Sequence, residues 1–340
     1  ENFNLNNVSV TVFTRMVQRC PKYEKLPTHD LYRLSAFIPK MGFGISLFLH
    51  LIWFRRKFDL IHCHSLSGQS SLICVLIGVL LRKPVILKVT RSGEDAQIAN
   101  LKKSFFGRIL LSILKNGTTK FIAITGEVKN ELINLDVHEK KIKEIPNGVD
   151  VFKREKNLNQ KSISILTIGR LIDRKRIDML IDLIPEVNKT FEVTLTIAGS
   201  GPNEKKLMNQ AKNLQISEKI IFLGEIEKDE IEYHLAQANI FVLPSSSEGM
   251  SNALLEAMSA GLPSIVANIA AKRTLIMDGK TGKMFTDSSS LKKAIIELCH
   301  DFELRESIGK SAQNLINEKY SFNKIANDYY NLYSEILNEL

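Results

Sequence analysis

Two carboxylates, Glu248 and Glu256, stand eight positions apart in Ser-Ser-Ser-Glu-Gly-Met-Ser-Asn-Ala-Leu-Leu-Glu-Ala-Met-Ser-Ala-Gly-Leu-Pro, residues Ser245 to Pro263. Such a pair can act as acid and base, clamp a sugar by its hydroxyls, or form the polar side of a helix. Local signals place them. Ser251 is a helix N-cap, a helix is expected over 252–260, Gly261 stops it and Pro263 lies just beyond. Glu248 then sits in the loop before the helix and Glu256 in its second turn, while Leu254, Leu255 and Met258 form a buried stripe. A carboxylate accepts hydrogen bonds from a vicinal diol, so one can hold a ribose and the other a hexose. A metal fits poorly: no His or Asp stands at ligand spacing and no Asp-x-Asp occurs in the chain.

Arg170 and Lys175 supply complementary charge. In Thr167-Ile168-Gly169-Arg170-Leu171-Ile172-Asp173-Arg174-Lys175-Arg176 an apolar strand ends in Gly-Arg, and a lysine follows five positions on, where an amphipathic helix begins. A guanidinium grips two phosphate oxygens, an ammonium adds a point charge, and helix-start N–H groups add a favourable dipole. That suits a diphosphate, although a solvated basic loop explains the pair equally well when taken alone. In Thr196-Ile197-Ala198-Gly199-Ser200-Gly201-Pro202 a second strand ends in Gly-x-Gly, which lets backbone approach a ligand closely or simply makes a tight turn. The chain has neither the G-x-G-x-x-G pattern of dinucleotide binders nor a G-x-x-x-x-G-K-S/T loop, so nicotinamide and P-loop ATP readings fall.

These residues need a scaffold that ends several strands side by side. Strands are expected at 8–13, 60–62, 85–89, 121–124, 142–145, 163–168, 193–198, 220–223, 240–243 and 264–267. Helices are expected at 44–56, 69–82, 103–115, 127–135, 177–184, 204–214, 229–236, 252–260, 290–298, 301–317 and 322–340. Continuously apolar strands, each followed by a helix, argue for parallel sheets with helices on both faces. Two such series occur, separated by Ile-Pro-Asn-Gly-Val-Asp and a polar run. The expectation is an α/β chain of two facing, doubly wound Rossmann-like domains, at 1–150 and 151–321, with a helix over 322–340 crossing back to the first. Ligands of such sheets bind at the C-terminal ends of the strands.

Taken together, Gly-Arg-x4-Lys, Gly-x-Gly-Pro, the Glu-x7-Glu pair and Ala-Gly-x-Pro occur in this order at strand–helix turns of one domain. Here the chain resembles the retaining nucleotide-sugar glycosyltransferases of family 4 (group 1), which have the GT-B fold. The resemblance covers almost the whole chain and includes Pro146-Asn147-Gly148-Val149-Asp150, Leu223-Gly224 and Asp278-Gly279-Lys280-Thr281-Gly282. It implies that Arg170 and Lys175 hold the donor diphosphate, Glu248 the donor sugar and Glu256 the ribose. Backbone at Gly249, Met250, Ser251 and Asn252 would approach sugar and phosphate, Gly199 and Gly201 would shape the floor, Gly224 would flank the base, and Gly169 would also belong to the donor site. It also implies no metal or other cofactor, with the two cations stabilising the leaving diphosphate.

The first half departs from that family in two places. The family's opening βα unit is missing, which reads as a truncation of the first domain. The family's His-Gly after the strand at 85–89 is replaced by Thr90-Arg91. His64, Lys88 and Arg91 are the acceptor-side candidates, each with a structural or surface-charge reading beside it. His62 and His64 with Cys63 form too tight a cluster to wrap a tetrahedral ion.

The chain has 340 residues, 44% hydrophobic and 24% charged, with a formal net charge of +9. Its four cysteines show no metal or disulfide spacing, consistent with a reduced compartment. Lysines are spread along the chain without a basic block interleaved with aromatics, so nucleic acid is disfavoured as a partner. Anionic lipid or phosphorylated substrate fits the charge better. The apolar run 72–81 is too short to span a bilayer and reads as a buried helix. Segment 45–58 reads as a core helix with a basic end, and is the segment to test for peripheral contact with an anionic membrane.

The leading expectation is transfer, with retention, of a hexose from a UDP- rather than GDP-sugar to a glycan or lipid-linked saccharide in bacterial surface polysaccharide synthesis. The place would be the cytoplasm or the inner face of the plasma membrane. The alternatives are a non-catalytic nucleotide-sugar-binding module or partner subunit, and a sugar-nucleotide epimerase.

Overall fold

The computed structural model describes residues 8–16, 20–35, 42–66, 68–91, 97–151, 162–269 and 273–339. Two compact units divide the chain, Glu1–Pro146 with Ile325–Leu340, and Asn147–Lys324.

The C-terminal unit holds strands β8 (Ile163–Ile168), β9 (Val193–Ala198), β10 (Ile220–Gly224), β11 (Ile240–Leu243), β12 (Ser264–Ala267) and β13 (Lys283–Phe285). Between and after them run α6 (Ile177–Val187), α7 (Glu204–Asn213), α8 (Lys228–Gln237), α9 (Asn252–Ser259), α10 (Ser288–His300) and α11 (Phe302–Lys319). The strands form one parallel sheet in the order β10-β9-β8-β11-β12-β13. The strands are apolar throughout because both faces are covered: Ile165, Leu195, Ile197, Ile240 and Val242 are buried on one face with Leu180, Ile181 and Ile184 of α6 and Leu291 and Ile295 of α10, while Leu166, Phe241, Leu243 and Val266 are buried on the other. The chain lays β9 and β10 on one side of β8, then returns to lay β11 on the other. That order reverses direction between β8 and β11, and the C-terminal edge of a parallel sheet at such a reversal is where a ligand is expected to bind. The motif Asp278-Gly279-Lys280-Thr281-Gly282 is a turn leading into β13: the Gly279 amide donates to the Gly282 carbonyl at 2.8 Å, and the buried Thr281 hydroxyl donates to the Leu275 carbonyl at 2.9 Å.

The N-terminal unit holds β1 (Thr11–Arg15), β2 (Tyr23–Lys25), β3 (Asp30–Leu34), α1 (Gly42–Trp53), β4 (Ile61–Cys63), α2 (Gln69–Leu81), β5 (Val85–Val89), α3 (Gln97–Lys102), α4 (Phe105–Gly117), β6 (Lys120–Ala123), α5 (Gly126–Ile133) and β7 (Ile142–Glu144). Strands β4-β5-β6-β7 make a parallel sheet. A separate sheet, β1-β3-β2, pairs β1 with β3 in parallel and β2 with β3 antiparallel. The last helix, α12 (Phe322–Asn338), returns to this unit and packs Ile325, Tyr329, Leu332 and Ile336 against Ile86, Ile122 and Ile145.

Four short elements were not expected: β2, β3, α3 and β13. They have three to six residues, too few for periodicity to show. Sheet β1-β3-β2 is also polar in sequence. It is held by rings rather than an aliphatic run, Phe13, Tyr32 and Phe54 meeting with centroids 5.2 to 5.5 Å apart. The first expected strand lies at Thr11–Arg15 rather than 8–13, because its register is set by pairing with Asp30–Leu34. The buried reading of 72–81 and the core reading of 45–58 are both corrected. Leu76, Val79 and Leu80 of α2, and Ile45, Phe48, Leu49 and Trp53 of α1, are exposed, and Trp53 retains 80% of its accessible surface. No described helix is long and apolar enough to cross a membrane.

Candidate functional site

In the C-terminal unit the residues singled out by type and spacing gather at the ends of β8, β9, β10 and β11. Three adjacent strands end in glycine, and the backbone links them: the Gly169 amide donates to the Ala198 carbonyl at 2.9 Å, and the Gly199 amide to the Gly224 carbonyl at 2.6 Å. Gly199 has φ +131°, and a Cβ on it would lie 2.1 Å from the Gly169 carbonyl oxygen. A Cβ on Gly201 would lie 2.5 Å from the Leu171 carbonyl oxygen. No larger residue fits these two positions without parting the loops. The result is a floor of bare backbone across three strand ends.

Over it lies a cation. After β8 a single 3-10 turn, Asp173–Lys175, bends the chain, and Arg176 takes φ +51° before α6 begins. The turn brings the Lys175 side chain back over Gly169, whose added Cβ would sit 3.2 Å from Lys175 Nζ. Lys175 Nζ donates to Glu248 Oε1 at 2.6 Å, with the two side chains only 13% and 10% exposed. The lysine comes from the loop after β8 and the glutamate from the loop after β11, so the pair stands at the reversal point of the strand order. The two loops are also joined through backbone: the Ser246 amide donates to the Arg174 carbonyl at 2.9 Å, and an Arg174 guanidinium nitrogen to the Ser247 carbonyl at 3.3 Å. Arg174 and its role as a tie had no signal in the sequence beyond its place in a basic run.

Beyond Glu248, Gly249, Met250 and Ser251 are buried, and the Ser251 hydroxyl caps α9 by accepting from the Leu254 amide at 3.4 Å. Asn252 is exposed at the helix start and accepts from the Asn147 side chain at 3.0 Å, while the Asn147 amide lies 3.2 Å from Met250 Sδ. Asn147 belongs to the Pro-Asn-Gly run between the two strand series. Turn chemistry alone explained that run, so its support of the 250–252 loop went unread.

Glu256 is half-buried on α9. Burial raises its carboxyl above the ordinary range; Lys228 opposes this, and Asp150 and Glu232 reinforce it. Lys228 also pairs with Asp150 at 2.5 Å. The two glutamates therefore have different charged neighbours, Lys175 for Glu248 and Lys228 with Asp150 for Glu256, as suits two different contacts. Arg170 is exposed, and among the described residues its guanidinium has no hydrogen-bond or ion-pair partner.

In the N-terminal unit His64, Lys88 and Arg91 lie at the ends of β4 and β5. The His64 ring stacks on His62 with centroids 4.3 Å apart, and burial followed by the Lys88 charge holds its pKa below the usual value. His62 is half-buried, shares a hydrogen bond between Nδ1 and the Tyr333 hydroxyl at 2.7 Å, and leaves Nε2 without a partner. Lys88 is 8% exposed, with its ammonium 5.6 Å from the Tyr329 ring centre, and burial pushes its pKa down to about 8. Arg91 is half-buried with Nε unpartnered. Scattered in sequence, Cys63 and Cys74 meet here as reduced thiols; their shared hydrogen bond lowers the pKa of Cys63 and raises that of Cys74.

The chain matches two family descriptions in succession, Glycosyltransferase Family 4 over residues 4–152 and Glycosyl transferases group 1 over residues 149–315. The chain belongs to the family 4, group 1 glycosyltransferases. This glycosyltransferase is 26% identical over 341 residues to an uncharacterized glycosyltransferase of Methanocaldococcus jannaschii, covering 92% of this chain and 86% of the relative. It is 26% identical to an Escherichia coli UDP-Gal:alpha-D-GlcNAc-diphosphoundecaprenol alpha-1,3-galactosyltransferase, covering 89% and 84% of the two chains. Among solved structures it is similar to Anabaena HepE in complex with UDP-glucose, with TM-score 0.76 and 18% identity, covering 90% of this chain and 86% of that one. This glycosyltransferase thus has the GT-B fold, with two Rossmann-like domains.

Proposed function

We propose that this glycosyltransferase moves a hexose from a UDP-sugar to a hydroxyl of a glycan or lipid-linked saccharide, with retention and without a metal ion. The observation that carries the reading is the Lys175–Glu248 pair over a glycine floor at the reversal point of the parallel sheet. The bare strand ends admit a diphosphate against backbone. Lys175 and the exposed Arg170 meet its charge, and Glu248 accepts from sugar hydroxyls. Glu256, in its own electrostatic setting, accepts from the ribose diol. The UDP preference draws support from the Anabaena structure with UDP-glucose and from the UDP-galactose-dependent E. coli relative; the latter also supports a lipid-linked acceptor.

In this reading the bond from the anomeric carbon to the diphosphate oxygen breaks, and the acceptor oxygen bonds to the same face of that carbon. The departing diphosphate oxygen takes the acceptor proton. Arg170 and Lys175 stabilise the charge that develops on the leaving group, the largest service a preorganised site provides. His64, Lys88 and Arg91 are assigned to the acceptor. The enzyme would act in the cytoplasm, at the inner face of a bacterial plasma membrane.

Transfer or hydrolysis of UDP-sugars by the purified protein tests this, with calorimetric titration of UDP- and GDP-sugars to fix the base. Lys175→Ala and Glu248→Ala, each checked for folding by circular dichroism, should lower transfer at least about 10²-fold. Full transfer by either folded variant removes the site assignment.

A further inference from the structure

Helices α1, α2 and α4 lie side by side in the N-terminal unit, with α2 in the middle. Their inner faces are buried in the usual way. Their outer faces are apolar too, which is unusual for helices in contact with water. On α1, Ile45, Phe48, Leu49 and Trp53 are exposed at the i, i+3, i+4, i+8 spacing of a single stripe. On α2 the stripe is Leu76, Val79 and Leu80. On α4 it is Phe105, Phe106, Ile109 and Ile113, with Phe106 81% exposed. Three neighbouring stripes of large apolar residues are far more than the scattered exposed residues of an ordinary surface and mark a face that meets something apolar.

Charge says what that is. Residues 42–126, which carry all three helices, contain 12 Lys and Arg against 3 Asp and Glu. That excess of nine equals the formal net charge of the whole chain, +9; the remaining residues carry 34 of each sign. None of the three helices contains an acidic residue. The cations flank the apolar stripes: Arg55, Arg56 and Lys57 follow Trp53, Arg82 and Lys83 follow Leu80, and Lys102, Lys103 and Arg108 surround the Phe105-Phe106 pair. A cavity of about 330 Å³ adjoins α4, lined by Lys102, Arg108, Lys115 and Asp136 together with Leu66 and Phe121. Cations beside apolar and aromatic groups match a bilayer interface, where apolar side chains enter the acyl boundary and long basic chains reach phosphate.

We infer that the joint outer face of α1, α2 and α4 docks on an anionic phospholipid bilayer. A protein partner's contact face would need a matching acidic, apolar surface, and in a second copy of this chain the same face carries the same cations, which repel. The inference deepens the peripheral-membrane part of the proposed function. Its test reads binding without turnover, so either can fail alone.

Trp53 is the only tryptophan in the chain and lies on the docking face, so it is a built-in reporter. The protein is mixed with phosphatidylcholine vesicles with and without phosphatidylglycerol, and co-sedimentation and tryptophan emission are read at low and high salt. Docking predicts co-sedimentation and a blue shift with the anionic vesicles, both weakened by salt. Phe106→Ser and Arg56→Glu, at exposed positions where the fold is not at stake, should each weaken vesicle binding about tenfold. Three results would overturn the inference: no sedimentation with anionic vesicles at low salt, sedimentation with unchanged Trp53 emission, or lipid-free self-association that Phe106→Ser abolishes.

Discussion

Replacing Lys88 with methionine should stabilise the N-terminal unit while damaging activity. Lys88 is the fourth of the five residues of β5, near its C-terminal end and on the face that α12 covers, 8% exposed. Among the described residues its ammonium has no carboxylate and no hydrogen-bond acceptor; its neighbour is the Tyr329 ring at 5.6 Å. Burial lowers its pKa from an ordinary 10.5 to about 8. That difference corresponds to about 3 kcal/mol of extra cost for the charged form in the folded state. The aromatic face returns about 1 kcal/mol. Lys88→Met, which keeps the volume and drops the charge, should therefore gain about 2 kcal/mol at pH 7. Because the folded value lies below the unfolded one, the folded chain holds fewer protons between about pH 8 and 10.5, and the native lysine's penalty fades as pH rises through that window. The advantage of methionine should be full at pH 7 and small at pH 10. Urea titrations of both proteins followed by circular dichroism at the two pH values measure it. If the units unfold in separate steps, the shifted step is the N-terminal one. A variant that is less stable at pH 7, or an advantage independent of pH, refutes the argument. If stability rises and transfer falls together, the charge is kept for an anionic ligand rather than for the fold.

Two further outcomes test the donor site. Gly199→Ala puts a Cβ 2.1 Å from the Gly169 carbonyl oxygen at φ +131°, so it should cost about 1–3 kcal/mol and weaken UDP binding; unchanged calorimetric affinity would show that the glycine floor does not touch the donor. Glu256 has its carboxyl raised by burial, so affinity for a UDP-sugar should fall with decreasing pH earlier than an ordinary carboxylate allows, and Glu256→Gln should flatten that dependence. An equally steep pH profile in Glu256→Gln would assign the titration elsewhere.

Much of the C-terminal unit was legible before any coordinates. A strand covered on both faces must be apolar at every position, so β8, β9, β11 and β12 fall at their expected bounds. Gly-Arg-x4-Lys and the Glu-x7-Glu pair were visible because, in the proposed reading, phosphate and diol recognition demand particular residue types at fixed places in a turn. The hairpin β2-β3 was not legible, since its residues are polar and its stability comes from pairing and from rings contributed by β1 and the segment after α1.

By itself, the chain's order of residues determined its parallel α/β character, the ends of most helices and the candidate side chains of the proposed donor site, because each depends on neighbours within a few positions. Only the tertiary structure decided that Lys175 meets Glu248 across 73 residues, and that the returning α12, expected from the sequence, sets Tyr329 over β5 so that Lys88 is buried. It also decided that the apolar sides of α1 and α2 face outward. Periodicity can say that a helix has an apolar face, but which face meets solvent depends on how many neighbours are available to cover it, and that is a property of the packed chain.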